Sequence, residues 1–346
     1  MGKFLQILSF KALILGLMLT MEVSAQDPQL SQYYSAPLYL NPAFTGTARS
    51  HRLTANYRRQ WPSISSKFNT AIFSYDYFHK KWNSGFGVMF LGDQAGEVQL
   101  ASYSANFLYS YMVRIDRHWV VRAGLNFGFN SRTLDDSKLI FGDQLILGSK
   151  HRPPTHDDQF GKNFTSNYFD VGSGIFIYSQ KYWLGFAASH LNEPNQSMGG
   201  NKSSLPIKYN FHGGARIPLY NGPIKRAKVP AVAPSFLYKK QGRFDQLDLG
   251  INFYYQPMMF GLWYRGIPVQ KQAKFLNQDA IVLLFGFKYD DFSIGYSYDF
   301  TVSKLGPSSG GAHELSLSYE LYSTGSSKRK KPRRRDMFMP CPTFMK

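Results

Sequence analysis

Cysteine and long apolar runs are what this chain of 346 residues has least of. Its one cysteine, Cys341, rules out a fold stapled by internal disulfides. The apolar run Ala12–Thr20 is well short of the ~20 residues that a helix needs to cross a bilayer, and no other segment qualifies. That run follows Lys3 and Lys11 and ends near Val23, Ser24 and Ala25. Residues 1–25 therefore read as a secretory signal peptide, with Gln26 opening the mature chain. The alternative, an uncleaved anchor, suffers from the same shortness. No cysteine stands just after the cleavage site, which argues against a lipid-anchored start. Enzyme signatures are missing too, since neither a nucleophile elbow nor an HExxH spacing joins the Ser, His and acidic residues. The Gly-rich stretch 305–314 lacks the Gly-Lys-Ser/Thr ending of a phosphate loop, and reads as a hairpin turn with Ser308 and Ser309 bonding the backbone. No catalytic residue, cofactor or metal is expected.

What is abundant is aromatic residues and glycine: 23 Tyr, 29 Phe and 30 Gly, with a negative mean hydropathy. That is too polar for a helical membrane protein and too aromatic for an ordinary soluble one. Two-residue alternation recurs along the chain. In 313–322, Leu315, Leu317, Tyr319 and Leu321 face one way and Glu314, Ser316, Ser318 and Glu320 the other. In 119–130, Val121, Ala123, Leu125, Phe127 and Phe129 alternate with Arg122, Gly124, Asn126, Gly128 and Asn130. Segments of this length and dyad pattern are those of membrane β-strands. About 14 are expected, at 51–59, 68–78, 84–92, 101–112, 119–131, 168–179, 181–190, 207–219, 231–240, 244–255, 257–266, 279–289, 292–300 and 312–322. The predicted fold is all-β: a transmembrane antiparallel barrel over 51–322.

An even strand count places both termini on one side, the periplasmic side of an outer membrane. Connections after even-numbered strands are mostly short, as at 179–181, 256–257 and 290–291, and those after odd-numbered ones mostly long, as at 132–167, 191–206, 267–278 and 301–311. Two connections break that rule: 221–231 is long and 239–243 short, so a wrong strand assignment there would change the count by two. A soluble β-sandwich or propeller also alternates, but sandwich strands are shorter and no fixed repeat is present.

Five co-linear segments carry a resemblance. "SQYYSAPLYLNPAFTG" (31–46), "NYRRQWP" (56–62), "FGDQ" (141–144), "LPIKYNFHGGARIPL" (205–219) and "YDFTVSKLGPSSGGAHELSLSY" (298–319) resemble the PorP/SprF family of type IX secretion and gliding proteins. The resemblance implies a Bacteroidota outer-membrane barrel supporting secretion or surface anchoring. Its implied partners are periplasmic ring proteins of the PorK/PorN type, and a secreted adhesin or other type IX cargo. A passive porin for small polar solutes is the alternative.

Residues 26–50 are expected to precede the first strand on the periplasmic side. Asn41-Pro42 reads as a turn former, and Tyr33, Tyr34, Tyr39 and Phe44 as apolar anchors with nowhere in water to hide. Their predicted place is a plug folded into or across the periplasmic mouth; the alternative is an aromatic-girdle extension of a strand. Arg122, Arg216, Arg265, Asp76 and Asp248 are expected to face inward, lining an aqueous lumen or satisfying one another in a sealed one.

The loop 132–167 carries Asp135, Asp136, Asp143, Asp157 and Asp158 with His151 and His156, without the spacing of a calcium loop. It reads as a solvated acidic loop, and long enough to be the place of cargo contact.

The chain carries a formal charge of +18, and eight basic residues with one acid crowd into the last 19 positions. Nucleic acid is the default partner of such a run, but export argues against it. Residues 323–346 are expected to form a periplasmic tail. In it Lys328, Arg329, Lys330, Lys331, Arg333, Arg334 and Arg335 would steer a partner, with Met337, Phe338, Met339 and Phe344 as apolar anchors. A solvated tail, or one drawn to lipid headgroups, is the alternative. Cys341 has no internal mate and could cross-link to that partner, and the ending Cys341 to Phe344 resembles the family's terminus.

Overall fold

The structure is a computed structural model; it describes residues 27–48, 51–64, 66–97, 100–135, 139, 142–144, 155, 164–198, 202–220, 229–266, 280–302 and 307–321. Its strands are β1 (His51–Gln60), β2 (Lys67–His79), β3 (Ser84–Gly96), β4 (Leu100–Arg114), β5 (Val120–Thr133), β6 (Thr165–Tyr178), β7 (Tyr182–Ser189) and β8 (Lys208–Ala215), then β9 (Ile217–Pro218), β10 (Ala231–Gln241), β11 (Phe244–Tyr255), β12 (Met258–Gly266), β13 (Ala280–Tyr289), β14 (Phe292–Thr301) and β15 (Ala312–Leu321). Each pairs antiparallel with its sequence neighbour, and β1 pairs with β15 along its whole length, from His51 opposite Leu321 to Gln60 opposite Ala312. The sheet closes on itself and leaves no edge.

β8 and β9 form one stave, because both pair with β10. The ladder breaks opposite Pro234, which has no N–H to donate, and resumes at Ala231 and Val232. Arg216, between the two pieces, lays its guanidinium over the Tyr254 ring at 5.2 Å. The barrel therefore has 14 staves, at the places where the alternation put them. The two irregular connections are real. β10 reaches β11 through two residues, Gly242 and Arg243, while 219–230 separates β9 from β10.

Period-2 patterning sorts the side chains. On β13, Ile281, Leu283, Phe285 and Phe287 point outward and are exposed, while Ala280, Val282 and Leu284 are buried. The same division puts Phe90, Phe107, Ile251 and Leu262 on the outer surface and Thr54, Ser74, Asn252, Ser297 and Ser316 inside. The outer face is that of a barrel in lipid; the interior is polar. No helix among the described residues is long and apolar enough to cross a membrane, and the strands do the crossing.

Leu283, outward at mid-strand, should tolerate alanine but not arginine. Leu283→Arg is expected to cost about 2–4 kcal/mol in urea titration of folding into vesicles. Equal stability of the Arg and Ala variants would contradict a lipid-facing surface there.

Candidate functional site

The interior holds residues 27–48, which precede β1. Their sequence is poor in helix and strand patterning, and the backbone forms three short turns instead: 3-10 turns at Tyr33–Ser35 and Pro42–Phe44, and a single α-turn at Pro37–Leu40. Proline starts two of them, where its missing N–H costs nothing. Asn41 caps the last turn, accepting from Ala43 N at 2.9 Å. Almost every residue from Leu30 to Ala48 is buried.

Three polar clusters bind this segment to the inner wall. In the first, the Glu314 carboxylate accepts the backbone N–H of Ser31 at 2.7 Å and of Gln32 at 3.0 Å. Asp299 accepts from Ser31 Oγ at 2.7 Å, from Arg58 at 2.8 Å and from Arg265 at 2.9 Å. The Ser31 hydroxyl accepts in turn from Arg58 at 2.6 Å and Arg265 at 2.7 Å. Its one donor and both lone pairs are used. Two arginines thus face two acids, with the segment's backbone and hydroxyl bonded to all four.

The second cluster lies where the segment enters β1. Arg52 and Asp76 pair through two bonds, at 2.8 and 3.0 Å, and Gly46 N donates to Asp76 at 2.6 Å. Arg122, fully buried, donates to the carbonyls of Gly46 at 3.1 Å and Thr45 at 2.9 Å. The third is at the opposite mouth. There Asp27 contacts His190 Nε2 at 2.9 Å and Lys208 Nζ at 3.0 Å, and His190 Nδ1 lies 3.0 Å from Asp170. Burial alone would lower the His190 pKa, but the neighbouring Asp27 and Asp170 carboxylates raise it to about 9. His190 and Lys208 in return hold the Asp27 carboxyl, which burial alone would raise, well below its ordinary range.

Aromatic contacts fill the space between clusters. Tyr33 meets Trp263 edge-on at 5.2 Å, Tyr34 accepts from Trp183 Nε1 at 3.2 Å, and Phe44 packs on Phe176 at 4.2 Å. Tyr39 donates to Pro28 O at 2.6 Å beneath Lys208. The inner wall is hollowed to admit the backbone. A Cβ on Gly124 would land on Pro42 and Ala43, and one on Gly174 on the Asn41 amide. These glycines are required by close approach.

The family model for "Type IX secretion system membrane protein PorP/SprF" matches residues 22–319. The chain belongs to the PorP/SprF family. It is an outer-membrane β-barrel component of type IX secretion, a family and fold of secretion components and not a known enzyme class. No curated protein matches it. Solved structures similar to this PorP/SprF member include the P. putida toluene transporter TodX, at 12% identity and a TM-score of 0.46, covering 82% of this chain and 93% of that one. The Ralstonia pickettii toluene transporter TbuX is similar at 11% identity and a TM-score of 0.45, covering 83% and 94%.

Of the residues singled out from sequence, Tyr33, Tyr34, Tyr39 and Phe44 all lie inside the barrel. The segment bearing them runs from one mouth to the other, whereas the expected position was the periplasmic mouth. Its first described residue, Asp27, is bonded beside the long-loop ends of β7, β8 and β10, and its last turn meets the short-turn end of β2. Arg122, Arg265, Asp76 and Asp248 face inward with partners: Asp248 lies 3.3 Å from Lys239 and 3.6 Å from Arg265. The tail residues Lys328, Arg329, Lys330, Lys331, Arg333, Arg334, Arg335, Phe338, Cys341 and Phe344 lie outside the described residues, as do the signal peptide and most of the acidic loop. Among the described residues no group of His, Cys, Asp or Glu is arranged to hold a metal. Sequence reading missed Arg58, Asp299, Glu314, His190 and Lys208. The alternation did put Glu314 on the polar face, but it gave it no partners.

Glu314→Ala leaves Arg58 and two backbone N–H groups short of an acceptor, and is expected to cost about 3–5 kcal/mol of barrel stability, read as the heat-dependent gel shift. Glu314→Gln, which keeps an acceptor, should cost less. The Asp27 tether carries a pH signature. The folded His190 pKa lies above its unfolded value of about 6.5, so its contribution is complete below that pH and lost as pH rises through about 9. Thermal stability should fall across this window in the native chain and stay flatter in His190→Asn.

Proposed function

We propose that this barrel is a sealed anchor of the type IX secretion or gliding apparatus, and not a conduit for solutes. The observation behind this reading is the filled lumen: residues 30–48 are buried and bonded to strands from all round the wall. The segment acts as a plug. A passive porin would need that volume for water, so the alternative loses its pore.

With the interior closed, work is left to the two mouths. The long loops face outward, following the rule that extracellular loops exceed periplasmic turns. They offer the contact surface for a secreted adhesin or other type IX cargo. β15 ends at the short-turn side, so the basic tail 323–346 emerges into the periplasm and docks on ring proteins of the PorK/PorN type, with Cys341 in reach of a partner thiol. Asp27, by contrast, sits at the outer mouth, because the plug crosses the lumen before β1. This differs from two periplasmic termini, and the difference comes from Asp27 sitting beside the long-loop strand ends.

Capture from detergent-solubilised outer membranes tests the anchor. The full chain should bring down periplasmic ring components, and a chain ending at Ser327 should not; equal capture by both would remove the docking role of the tail. In planar bilayers the intact protein should be silent, and deletion of residues 31–47 should open an ion conductance. A conducting intact barrel would restore the porin.

A further inference from the structure

Above the plug, on the long-loop side, the barrel encloses a cavity of about 320 Å³ that none of the three clusters fills. That volume is at the small end of ligand sites. Its floor is the plug itself, through Pro28, Leu38 and Tyr39, and its wall is the inner face of β3 to β6.

The wall carries an unusual row. Asp93 on β3 lies opposite Ser102 on β4, and Ser102 lies opposite Arg132 on β5. All three line the cavity. Two strand spacings separate the acid from the arginine, about 10 Å between Cα atoms. They are not ion-paired with each other. Asp93 accepts from Thr70 Oγ1 at 2.6 Å, and Arg132 donates to the Gln196 amide. Among the described residues the Arg132 Nε–H is buried without an acceptor. Buried groups of this kind are satisfied in most native structures. An occupant that met both wall charges would bring an anion to Arg132 and a cation to Asp93, spaced over two strands.

A sugar has no charges to offer. A single amino acid carries both of its charges on one carbon, too close for residues two strands apart. A chain of two or three residues spans about 7–10 Å when extended. Leu38, Met89 and Leu91 give the cavity an apolar side for small side chains. We propose that this cavity binds a short peptide with free termini, its carboxylate on Arg132 and its ammonium on Asp93. Because the plug forms the floor, the bound peptide touches wall and plug together.

Titration calorimetry on the full-length protein in detergent tests this, with Ala-Ala-Ala, its N-acetylated and C-amidated form, alanine and maltotriose as probes. The free tripeptide should saturate one site. Arg132→Gln and Asp93→Asn should each weaken it about tenfold or more, the loss of one charge-assisted bond, and capping both ends should abolish binding. Ser104→Phe, which fills the cavity without touching either charge, should abolish it as well, and the gel shift reports whether each variant is folded. The proposal is overturned if the tripeptide does not saturate, if folded variants bind it as tightly as the native chain, or if the capped tripeptide, alanine or maltotriose binds equally well.

Discussion

Charge placed inside a closed barrel must be answered there, because leaving one member of a buried ion pair alone costs several kcal/mol. Toward its long-loop end this lumen has Arg58 and Arg265 against Asp299 and Glu314, each nearly inaccessible to solvent. Four charges balance, but their hydrogen-bonding capacity does not close among themselves. Glu314 needs two further donors and finds them in the backbone of Ser31 and Gln32; both arginines need an acceptor and find the Ser31 hydroxyl. The plug is therefore part of the electrostatic solution, standing where water stands in an open barrel.

The rest of the interior follows from admitting a backbone into that space. Glycine at 124 and 174 and serine at 110 stand where the plug runs closest; Ser110 Oγ donates to Thr45 O at 2.6 Å. In an open, water-filled barrel these positions would be free to carry larger polar side chains. Aromatic residues then occupy what the polar clusters leave, with Trp183 and Trp263 reaching inward from β7 and β12 to meet Tyr33 and Tyr34. Tyr and Trp suit that place because each brings a large apolar body with one polar atom that can be partnered.

The strands were legible because a sheet with lipid on one face and a polar lumen on the other writes its period into every segment. Leu315, Leu317 and Tyr319 could be assigned to one face with no knowledge of their neighbours. The same period says nothing about who sits across the lumen. Glu314 could be read as inward, yet its partners are 256 and 283 residues away in the chain, a separation that no local pattern encodes. The N-terminal segment was legible as a problem, four aromatics without a hydrophobic partner, and less so as a path. Its turns are three or four residues long, too short for any periodicity, and its direction through the barrel depends on contacts at Asp27 and Asp76 that lie in different strands.

That separation also constrains how the molecule can form. Contacts at such distance close late, since the entropy of the intervening loop is lost before they reward it. Arg58 sits on β1, the strand that pairs with β15, and Glu314 sits on β15. The ion pair to which Ser31 and Gln32 bond therefore spans the same seam whose pairing shuts the barrel. A barrel that closed first would present the plug with a lumen already lined by charges bonded to water. Seating before or during closure lets Ser31 and Gln32 meet Glu314 as β15 arrives. Plug and seam then become one cooperative event, with Arg58 on the first strand and Glu314 on the last among the residues that hold the N-terminal segment in place.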